Sequence, residues 1–285
     1  MAEIITENLE HRYGAGTPFE HVAIRNVSLR FAPGEMVFLA GHTGSGKSTF
    51  IQHLNALLAP TAGRVLLDGE DINRSKASKR DTRRKVGLVF QYPEYQLFEE
   101  TVRKDIAFGP RNMGLSEAEI DERVSEAADF AGVGEEQFDR SPLELSGGQK
   151  RRIAIAGVMA MRPSVLILDE PTAGLDPRGS RLLMENLRTY REKTGATLLI
   201  VSHSMEDAAR YAGRIVVFRE GEVCLDGTPA EVFAHPETVY EAGLVLPKTA
   251  EIARLLKQQG IPVDNPAYTR ELLLEAICRA AGLQA

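Results

Sequence analysis

Residues 36–49 read Met-Val-Phe-Leu-Ala-Gly-His-Thr-Gly-Ser-Gly-Lys-Ser-Thr, and this stretch decides the fold. The first five residues are apolar and bounded by glycine, as expected for a buried parallel strand. Residues 49–58 place apolar side chains on one helical stripe, and Pro60 ends the predicted helix. A strand, a glycine-rich loop and a helix in this order predict an α/β protein whose loop meets a phosphate.

The loop at residues 41–48 fits the spacing Gly-x-x-x-x-Gly-Lys-Ser that cradles a nucleoside triphosphate. Its glycines allow successive backbone N–H groups to turn toward an anion. We expect Lys47 to reach the β- and γ-phosphates of ATP and Ser48 to offer its hydroxyl to Mg²⁺. His42 holds a variable position of the pattern, and we expect its side chain to be exposed. The predicted ATP-binding residues here are Gly41, His42, Thr43, Gly44, Ser45, Gly46, Lys47, Ser48 and Thr49.

A second apolar strand ends in two carboxylates, in the sequence Val-Leu-Ile-Leu-Asp-Glu at residues 165–170. Asp169 is placed to hold Mg²⁺, directly or through water. Glu170 is the better candidate to orient and deprotonate an attacking water. Taken alone, the pattern fits a solvated acidic turn equally well. The phosphate loop elsewhere in the chain favours the metal and base roles.

Another glycine-rich segment, Leu-Ser-Gly-Gly-Gln, occupies residues 145–149 and precedes a run typical of a helix. The Ser146 side chain and the amides of Gly147 and Gly148 can bind an anion at the helix N-terminus. A flexible linker is the alternative, and the helix behind the segment disfavours it. Since this 145–149 loop has no obvious partner within one chain, it predicts that a second chain completes the site.

The phosphate loop, the 145–149 loop and the Asp-Glu pair together resemble the ABC ATPases, over nearly the whole chain to about residue 240. The resemblance implies ATP hydrolysis and a P-loop (RecA-like) parallel sheet core. It also implies an antiparallel β subdomain, an α-helical subdomain at about residues 93–161 and ATPase subunits that act in pairs. ATP and Mg²⁺ are the implied cofactors.

Further residues acquire roles through this resemblance. Gln91 is expected to sense Mg²⁺ and the attacking water, and His203 to contact the γ-phosphate. Tyr13 is expected to stack on adenine, although an ordinary tyrosine is the alternative. The catalytic set is therefore Glu170, His203 and Gln91, and the implied Mg²⁺ ligands are Ser48, Gln91 and Asp169. Residues implied to contact ATP held by the partner are Ser146, Gly147, Gly148, Gln149 and Asp176.

Residues 91–102, and residues 16–21 near the start, resemble ATPases of energy-coupling factor importers, particularly the A-prime type. Such importers take up vitamins or transition-metal ions. The resemblance implies a second ABC ATPase, with a paralogue favoured over an identical copy. It also implies a membrane coupling subunit, a substrate-binding membrane subunit and a peripheral position at the cytoplasmic face of the cell membrane.

The segment after Gln91 carries an acid beside two apolar residues, namely Glu94, Leu97 and Phe98. We expect this patch to dock an arginine-bearing helix of the membrane coupling subunit, with Glu94 taking the charge. The alternative is that Glu94 is a solvated loop acid.

The composition disfavours nucleic acid as the main partner, because the net charge is −6 with 40 acidic and 34 basic residues. The alternative function is a soluble ABC ATPase that acts on nucleic acid or ribosomes. The interval between Gln91 and the 145–149 loop shows no sustained heptads, and the chain carries one cassette, which disfavours that alternative. A nucleotide-binding regulator without turnover is disfavoured by the presence of Glu170 and His203.

The rest of the chain supplies the remaining elements. We expect antiparallel strands over residues 4–31 and 63–68, parallel strands at 36–40, 86–90, 165–168 and 197–202, and a final hairpin at 215–218 and 222–225. Residues 74–85 are basic and predict a solvated surface helix, with a phospholipid-headgroup site as the alternative. Cys224 and Cys278 are expected to remain reduced. No apolar run approaches the roughly 20 residues that span a bilayer.

The domain prediction divides the chain into an ABC ATPase domain at residues 1–240 and a C-terminal helical appendage at 241–285. Two amphipathic helices are expected in the appendage, at residues 248–259 and 269–281, with apolar faces formed by Ile252, Leu255 and Leu256 and by Leu273, Ile277 and Ala280. By resemblance, the appendage helps to pair the two ATPases. The alternative is simple packing against the parent domain.

Overall fold

The chain forms two sheets, which the computed structural model describes over residues 2–263 and 267–283. The smaller sheet is antiparallel and the larger is parallel except for its last hairpin, which confirms the predicted α/β class and its antiparallel N-terminal part. The strands in chain order are β1 (Ile4–Tyr13), β2 (His21–Phe31), β3 (Met36–Ala40), β4 (Ala62–Leu67), β5 (Glu70–Asp71), β6 (Val86–Val89), β7 (Val165–Asp169), β8 (Thr197–Val201), β9 (Arg214–Arg219) and β10 (Glu222–Gly227). Their orders are β2-β1-β4-β5 and β10-β9-β3-β8-β7-β6.

The parallel strands are buried along their whole length. Every residue of β3, β6, β7 and β8 is buried, because structure covers both faces of this sheet. Alternate side chains enter two cores, with Phe38 and Leu168 on the helical side and Val37 and Ile167 on the side of the antiparallel sheet. The carboxyl ends of β3, β7 and β8 are therefore fixed at one edge, which is where loops that bind ligands emerge in such sheets.

Helices connect and cover these strands. They are α1 (Lys47–Leu54), α2 (Lys76–Lys85), α3 (Val102–Asn112), α4 (Glu117–Ala131), α5 (Gly147–Met159), α6 (Pro177–Thr194), α7 (Met205–Tyr211), α8 (Pro229–Phe233), α9 (Pro236–Glu241), α10 (Lys248–Gln258) and α11 (Arg270–Ala280). The predicted helical stretch at 93–161 contains α3, α4 and α5. Their buried apolar residues belong to one core. The basic stretch at 74–85 contains α2, as expected.

Helix α1 is shorter than the sequence suggests. It ends at Leu54, and Asn55 caps it while its side-chain amide donates to the Val86 carbonyl oxygen at 3.0 Å. Ala56 then adopts a left-handed φ of +56° and is buried, whereas Leu57 is 43% exposed. The prediction that the helix continues to residue 58 is therefore wrong, because the chain leaves the helix after Leu54, four residues earlier.

Helices α10 and α11 lie where the sequence predicts them. Ala253 and Ala276 are buried in one cluster with Val263, and Leu256 and Leu273 of the predicted apolar faces pack against it. Other apolar residues of those faces are partly exposed, with Ile252 at 44%, Leu255 at 49% and Ile277 at 39%. Residues 264–266, 284 and 285 of the predicted appendage, and Met1, lie outside the described residues.

Both cysteines, Cys224 and Cys278, are free thiols, as the sequence predicts. In the part of the chain that the structure describes, no helix has the length and hydropathy to cross a bilayer.

Candidate nucleotide site

A polar cavity of about 260 Å³ opens at the carboxyl ends of β3 and β7, beside the start of α1. It is named here the nucleotide cavity. Most of the predicted ATP-site residues lie along its wall, and three residues that the sequence did not single out join them: His21, Ala23 and Val201. The complete lining is Tyr13, His21, Ala23, Thr43, Gly44, Gly46, Lys47, Ser48, Thr49, Gln91, Asp169, Glu170 and Val201.

Two glycines of the phosphate loop are required by close backbone contacts. Gly41 has a φ of +143°, and a Cβ there would lie 2.3 Å from the carbonyl oxygen of Phe218. Gly46 has a φ of +104°, and a Cβ there would lie 2.6 Å from the carbonyl oxygen of Ala23. Any side chain at either position would push the loop off the strands that support it. The loop then enters α1 directly at Lys47, so the helix N-terminus faces the cavity.

Lys47 is held by the loop that precedes it. Its Nζ donates to the carbonyl oxygens of Gly41 at 2.7 Å and His42 at 2.8 Å, and to Ser45 Oγ at 3.2 Å. Burial lowers the pKa of Lys47, while the negative charges of Glu170 and Asp169 act in the opposite direction. The ammonium is thus held at the wall of the cavity. Little water would screen its charge from a bound phosphate.

Ser48 and Asp169 form a pair of oxygen ligands. Ser48 Oγ donates to Asp169 Oδ2 at 3.2 Å, and the amide of Gln91 lines the same cavity. Burial raises the pKa of Asp169, and the hydrogen bond from Ser48 lowers it. A hydroxyl, a carboxylate and an amide oxygen are the hard donors that Mg²⁺ prefers, so these residues fit the ion.

Protein ligands alone do not complete such a centre. Within residues 2–263 and 267–283, no group of three or more His, Cys, Asp or Glu side chains is arranged to hold a metal. A Mg²⁺ ion at Ser48, Gln91 and Asp169 would take its remaining oxygens from phosphate and water, as is usual for this ion.

Glu170 is held in an unusual backbone conformation. Its φ of +50° is left-handed, which is uncommon for a residue with a Cβ and is concentrated at functional sites. The Glu170 amide donates to the Val201 carbonyl at 3.0 Å, and Glu170 Oε1 lies 2.9 Å from His203 Nδ1. The Glu170 side chain is 15% exposed and that of His203 is 73% exposed. The carboxylate is thus fixed at the cavity, while the imidazole sits at its solvent side.

Tyr13 also lines the cavity. Its hydroxyl is 3.2 Å from Thr49 Oγ1, and the residue is 43% exposed, which suits stacking on a flat base. His11 packs edge-on against Tyr13 with ring centroids 4.5 Å apart, and His53 packs against His11 at 4.7 Å. Sequence reasoning missed both histidines, although the period of two along β1 places His11 on the same face as Tyr13.

His42 differs from the expectation in one respect. It is half-buried rather than exposed, because its amide donates to the Ala242 carbonyl oxygen at 3.2 Å and its Cβ approaches Gly243. Its side chain does not line the nucleotide cavity.

The 145–149 loop lies outside the nucleotide cavity of its own chain. Ser146 caps α5, with its amide donating to Gln149 Oε1 at 2.9 Å and its hydroxyl accepting from the Gln149 amide. Gly148 approaches Leu175, which precedes Asp176, the N-cap of α6. Ser146, Gly147 and Asp176 are exposed. The residues predicted to face a partner therefore lie on one surface. That surface is separate from the nucleotide cavity of the same chain.

The predicted docking residues Leu97 and Phe98 line a groove of about 510 Å³ between α2, α3 and α5, named here the α2–α5 groove. Glu94 is already used within the chain. The Arg151 guanidinium donates to both Glu94 oxygens, at 3.2 and 3.1 Å, and Arg151 is only 3% exposed. The expectation that Glu94 waits for a partner's arginine is corrected, because this buried guanidinium occupies it.

Comparison with known proteins gives concordant matches. Residues 24–173 match the family described as ABC transporter. The energy-coupling factor transporter ATP-binding protein EcfA2 of Clostridium perfringens is 52% identical over 95% of this chain and 97% of its own length. The protein of the same name from Caldanaerobacter subterraneus is 50% identical, over 97% of this chain and 96% of its own.

Solved structures agree with these relatives. CbiO1 of Clostridium perfringens, described as part of the ABC transporter complex CbiONQ, superposes with a TM-score of 0.76 and 39% identity, covering 89% of this chain and 98% of its own. The dimeric ATP-binding cassette MJ0796, bound to ADP and phosphate, gives 0.72 and 30%, covering 79% and 98%. The chain therefore belongs to the ABC transporter family and, within it, to the ATP-binding subunits of energy-coupling factor transporters.

Proposed function

We propose that this chain, an ATPase coupled to transport, hydrolyses Mg-ATP at a site that it shares with a second ATPase subunit. The observation that supports this most is the separation of two sets of residues. Lys47, Ser48, Asp169 and Glu170 meet in the nucleotide cavity, whereas the 145–149 loop lies outside it, with Ser146 and Gln149 hydrogen-bonded to each other. Each chain thus carries two different half-sites, and a pair of chains carries complete ones.

In the proposed reaction, different residues of the cavity bind the phosphates, hold Mg²⁺ and accept a proton. Backbone N–H groups of the phosphate loop and Lys47 would bind and orient the phosphates. Ser48, Gln91 and Asp169 would hold Mg²⁺, which supplies neutralisation of the phosphoryl oxygens when bound. Glu170 would accept a proton from the attacking water.

His203 is placed to act together with Glu170. If Nδ1 of His203 carries its proton toward Glu170, the hydrogen bond orients the imidazole and leaves Nε2 for the γ-phosphate side. Ser146, the amides of Gly147 and Gly148, Gln149 and Asp176 of the partner would close the site from the other side. The charge that develops on the γ-phosphoryl oxygens is then surrounded by donors.

The direct test compares phosphate release by the dilute isolated chain with release by the purified complex of this chain and its partner ATPase. A shared site predicts turnover in the complex and a rate for the isolated chain that rises more than in proportion to its concentration. A rate per chain that is constant on dilution, and equal to that of the complex, would show a site complete within one chain.

Uptake of a vitamin or a transition-metal ion is the transport that this hydrolysis would power. The partners would be a second ATPase, favoured to be a paralogue, a membrane coupling subunit and a substrate-binding membrane subunit. This proposal rests on the resemblance of residues 91–102 and on the relatives' names. It places the chain at the cytoplasmic face of the membrane, as a peripheral subunit held there by its partners.

The α2–α5 groove is the proposed seat of the coupling subunit. Phe98 is 64% exposed and packs edge-on against Phe108 at 4.8 Å, so the groove offers an apolar floor. Arg80, Arg83 and Arg84 of α2 line its rim. Since Glu94 is paired with Arg151, the apolar residues rather than Glu94 would carry most of the docking energy.

A single substitution tests the groove. Phe98→Asp is expected to prevent co-purification with the coupling subunit, while ATP binding by the isolated chain is kept. Phe19→Asp is the matched control, because Phe19 is 87% exposed and lies outside the groove. Normal assembly of the Phe98→Asp protein would rule the groove out.

The proposed domain division places the ATPase domain at 1–240 and the appendage at 241–285. Leu255 and Leu274 of the appendage are 49% and 59% exposed, which suits an apolar contact with a second subunit. Leu255→Ser/Leu274→Ser is expected to weaken pairing of the ATPases in sedimentation experiments without unfolding the chain. Unchanged pairing would favour simple packing of the appendage on its own domain.

A further inference from the structure

Strand β1 and helix α1 are joined by two side-chain contacts, one of them in the wall of the nucleotide cavity. The Tyr13 hydroxyl lies 3.2 Å from Thr49 Oγ1, and both residues line the cavity. The ring centroids of His11 and His53 lie 4.7 Å apart. Positions 11 and 13 share one face of a strand, and positions 49 and 53 share one face of a helix. The two contacts therefore lie side by side between one face of β1 and one face of α1.

His11 connects these two contacts through its own ring. Its centroid lies 4.5 Å from that of Tyr13 at an interplanar angle of 80°, and the angle to the His53 ring is 62°. His11 is 8% exposed and His53 is fully buried, whereas Tyr13 is 43% exposed. Edge-on contacts between flat rings are favourable and depend on orientation. A buried ring thus supports the exposed ring of Tyr13.

The backbone beside these residues is irregular. Between positions 11 and 12 of β1 the pairing with β2 shifts by one residue, which makes Ala23 an extra residue in β2. Such β-bulges occur beside active sites, where they change the direction of a side chain. Ala23 lines the nucleotide cavity, and a Cβ on Gly46 of the phosphate loop would lie 2.6 Å from its carbonyl oxygen. The bulge therefore lies both opposite the segment from His11 to Tyr13 and close to the phosphate loop.

The two imidazoles are neutral at neutral pH. Burial lowers the pKa of His11, and it lowers the pKa of His53 to about 4. Neither ring therefore supplies a positive charge to a bound phosphate. Neutral rings in contact contribute packing and orientation. The chemistry of this pair is that of a flat surface, which another aromatic ring can reproduce.

We propose that His11 is a positioning residue, which holds the Tyr13 ring in the orientation that stacks on the base of the nucleotide. The inference rests on the proposed function, binding of ATP in the nucleotide cavity, and on the prediction that Tyr13 stacks on adenine. A ring that is fixed in advance lowers the entropy cost of binding. Since His11 also packs on His53 of α1, the stacking ring keeps its place relative to the helix that follows the phosphate loop. The arrangement favours ligands that carry both a base and phosphates.

Titration calorimetry of the full-length chain with ATP and with tripolyphosphate tests this proposal, without Mg²⁺ so that no hydrolysis occurs. Tripolyphosphate has the phosphate chain of ATP but lacks the base. His11→Ala is expected to weaken ATP binding by about fivefold or more and to leave tripolyphosphate binding within about twofold. His11→Phe restores a flat ring and should recover most of the ATP affinity. His235→Ala is the control, since His235 is exposed and does not line the cavity.

A spectroscopic measurement follows the stacking ring itself. The chain contains no tryptophan, so Tyr13→Trp introduces a single indole at this position. Stacking on adenine should quench its fluorescence, and His11→Ala in this background should remove much of the quench at saturating ATP. His11→Leu keeps the bulk of the side chain without a flat ring and should reduce the quench in the same way. This variant gives the answer if His11→Ala does not fold.

The outcomes separate this inference from the proposed function. Equal weakening of ATP and tripolyphosphate binding by His11→Ala, or no change in either, would overturn the inference. An unchanged quench in the Tyr13→Trp background would overturn it as well. If the unsubstituted chain bound ATP no more tightly than tripolyphosphate, the inference would fail while phosphate binding in the cavity stood. If that chain bound neither ligand, the proposed function would fail together with the inference.

Discussion

The phosphate loop and the 145–149 loop are both glycine-rich segments that lead into a helix, yet their surroundings differ. In the cavity, Lys47 and Asp169 are both buried and both line the wall. In the 145–149 loop, Ser146 and Gln149 bond to each other in a capping box, and Ser146 is exposed. The first arrangement suits phosphates bound within the chain, and the second suits contact with another molecule, as the proposed shared site requires.

The largest effect is expected for Glu170, the proposed proton acceptor in the nucleotide cavity. Glu170→Gln keeps the size and hydrogen bonding of the side chain but cannot accept a proton. We expect single-site turnover to fall by between about 100-fold and 10,000-fold with ATP binding retained. Single-turnover phosphate release is the measurement, because a paralogous partner could still hydrolyse at its own site. Unchanged single-site turnover would move the base to another residue.

The next largest effect is expected for ATP binding in the nucleotide cavity. Lys47→Ala removes a cation whose Nζ lies among the loop carbonyls. We expect ATP affinity of the isolated chain to fall by at least about tenfold, since charge-assisted hydrogen bonds to phosphate are lost. Equilibrium binding of a fluorescent ATP analogue would measure this, with Lys76→Ala on the exposed side of α2 as control. Near-normal affinity would contradict the role of the loop.

The 145–149 loop should respond in the opposite way. Ser146→Arg is expected to leave ATP binding to the isolated chain intact and to block ATP-driven pairing, because the side chain would enter the partner's γ-phosphate region. The substitution also removes the α5 cap, which costs about 1 kcal/mol of stability. Ser146→Ala removes the same cap without the bulk, so pairing measured by light scattering should survive in it. Loss of ATP binding by the isolated Ser146→Arg chain would show that the two halves are not separate.

Much of this comparison could be predicted from the sequence, because its signals are local. The phosphate loop, the Asp169-Glu170 pair and the Leu-Ser-Gly-Gly-Gln segment at residues 145–149 are each contained in a few consecutive residues. The apolar runs of β3, β7 and β8 likewise predict buried parallel strands, because both faces of that sheet are covered.

The features that sequence reasoning missed depend on contacts between distant residues. Arg151 pairs with Glu94 across 57 positions of the chain, and no local pattern announces it. On α10, Ala253 is buried in a cluster with Ala276 of α11 whereas Leu255 is 49% exposed, which is a tertiary arrangement. His53 meets His11 between α1 and β1, which is again a tertiary contact.

The ion pair between Glu94 and Arg151 predicts a smaller effect, on the stability of the helical stretch at residues 93–161. Glu94→Ala would leave the Arg151 guanidinium, which is 3% exposed, without its carboxylate. We expect a loss of about 3 kcal/mol in the free energy of unfolding, measured by urea denaturation. Glu94→Ala/Arg151→Met should recover most of it, because the unpaired buried charge is removed. No loss in the single variant would return Glu94 to the role of an exposed docking acid.

Acid should destabilise the two regions to different extents, because the His11–His53 pair packs against Tyr13, which lines the nucleotide cavity. Burial lowers the pKa of His53 to about 4 from its ordinary 6.5, with the neighbouring His11 contributing, and residues 93–161 contain no histidine. Between pH 6.5 and about 4 the unfolded chain binds a proton that the folded chain does not, so the free energy of unfolding falls as pH falls through this window. The loss should reach about 3 kcal/mol at the acid end. Hydrogen exchange at pH 5 should show α1 and β1 losing protection before α4 and α5, and His53→Phe should remove that difference. If α4 and α5 lost protection before α1 and β1, the acid-sensitive contact would not be the His11–His53 pair.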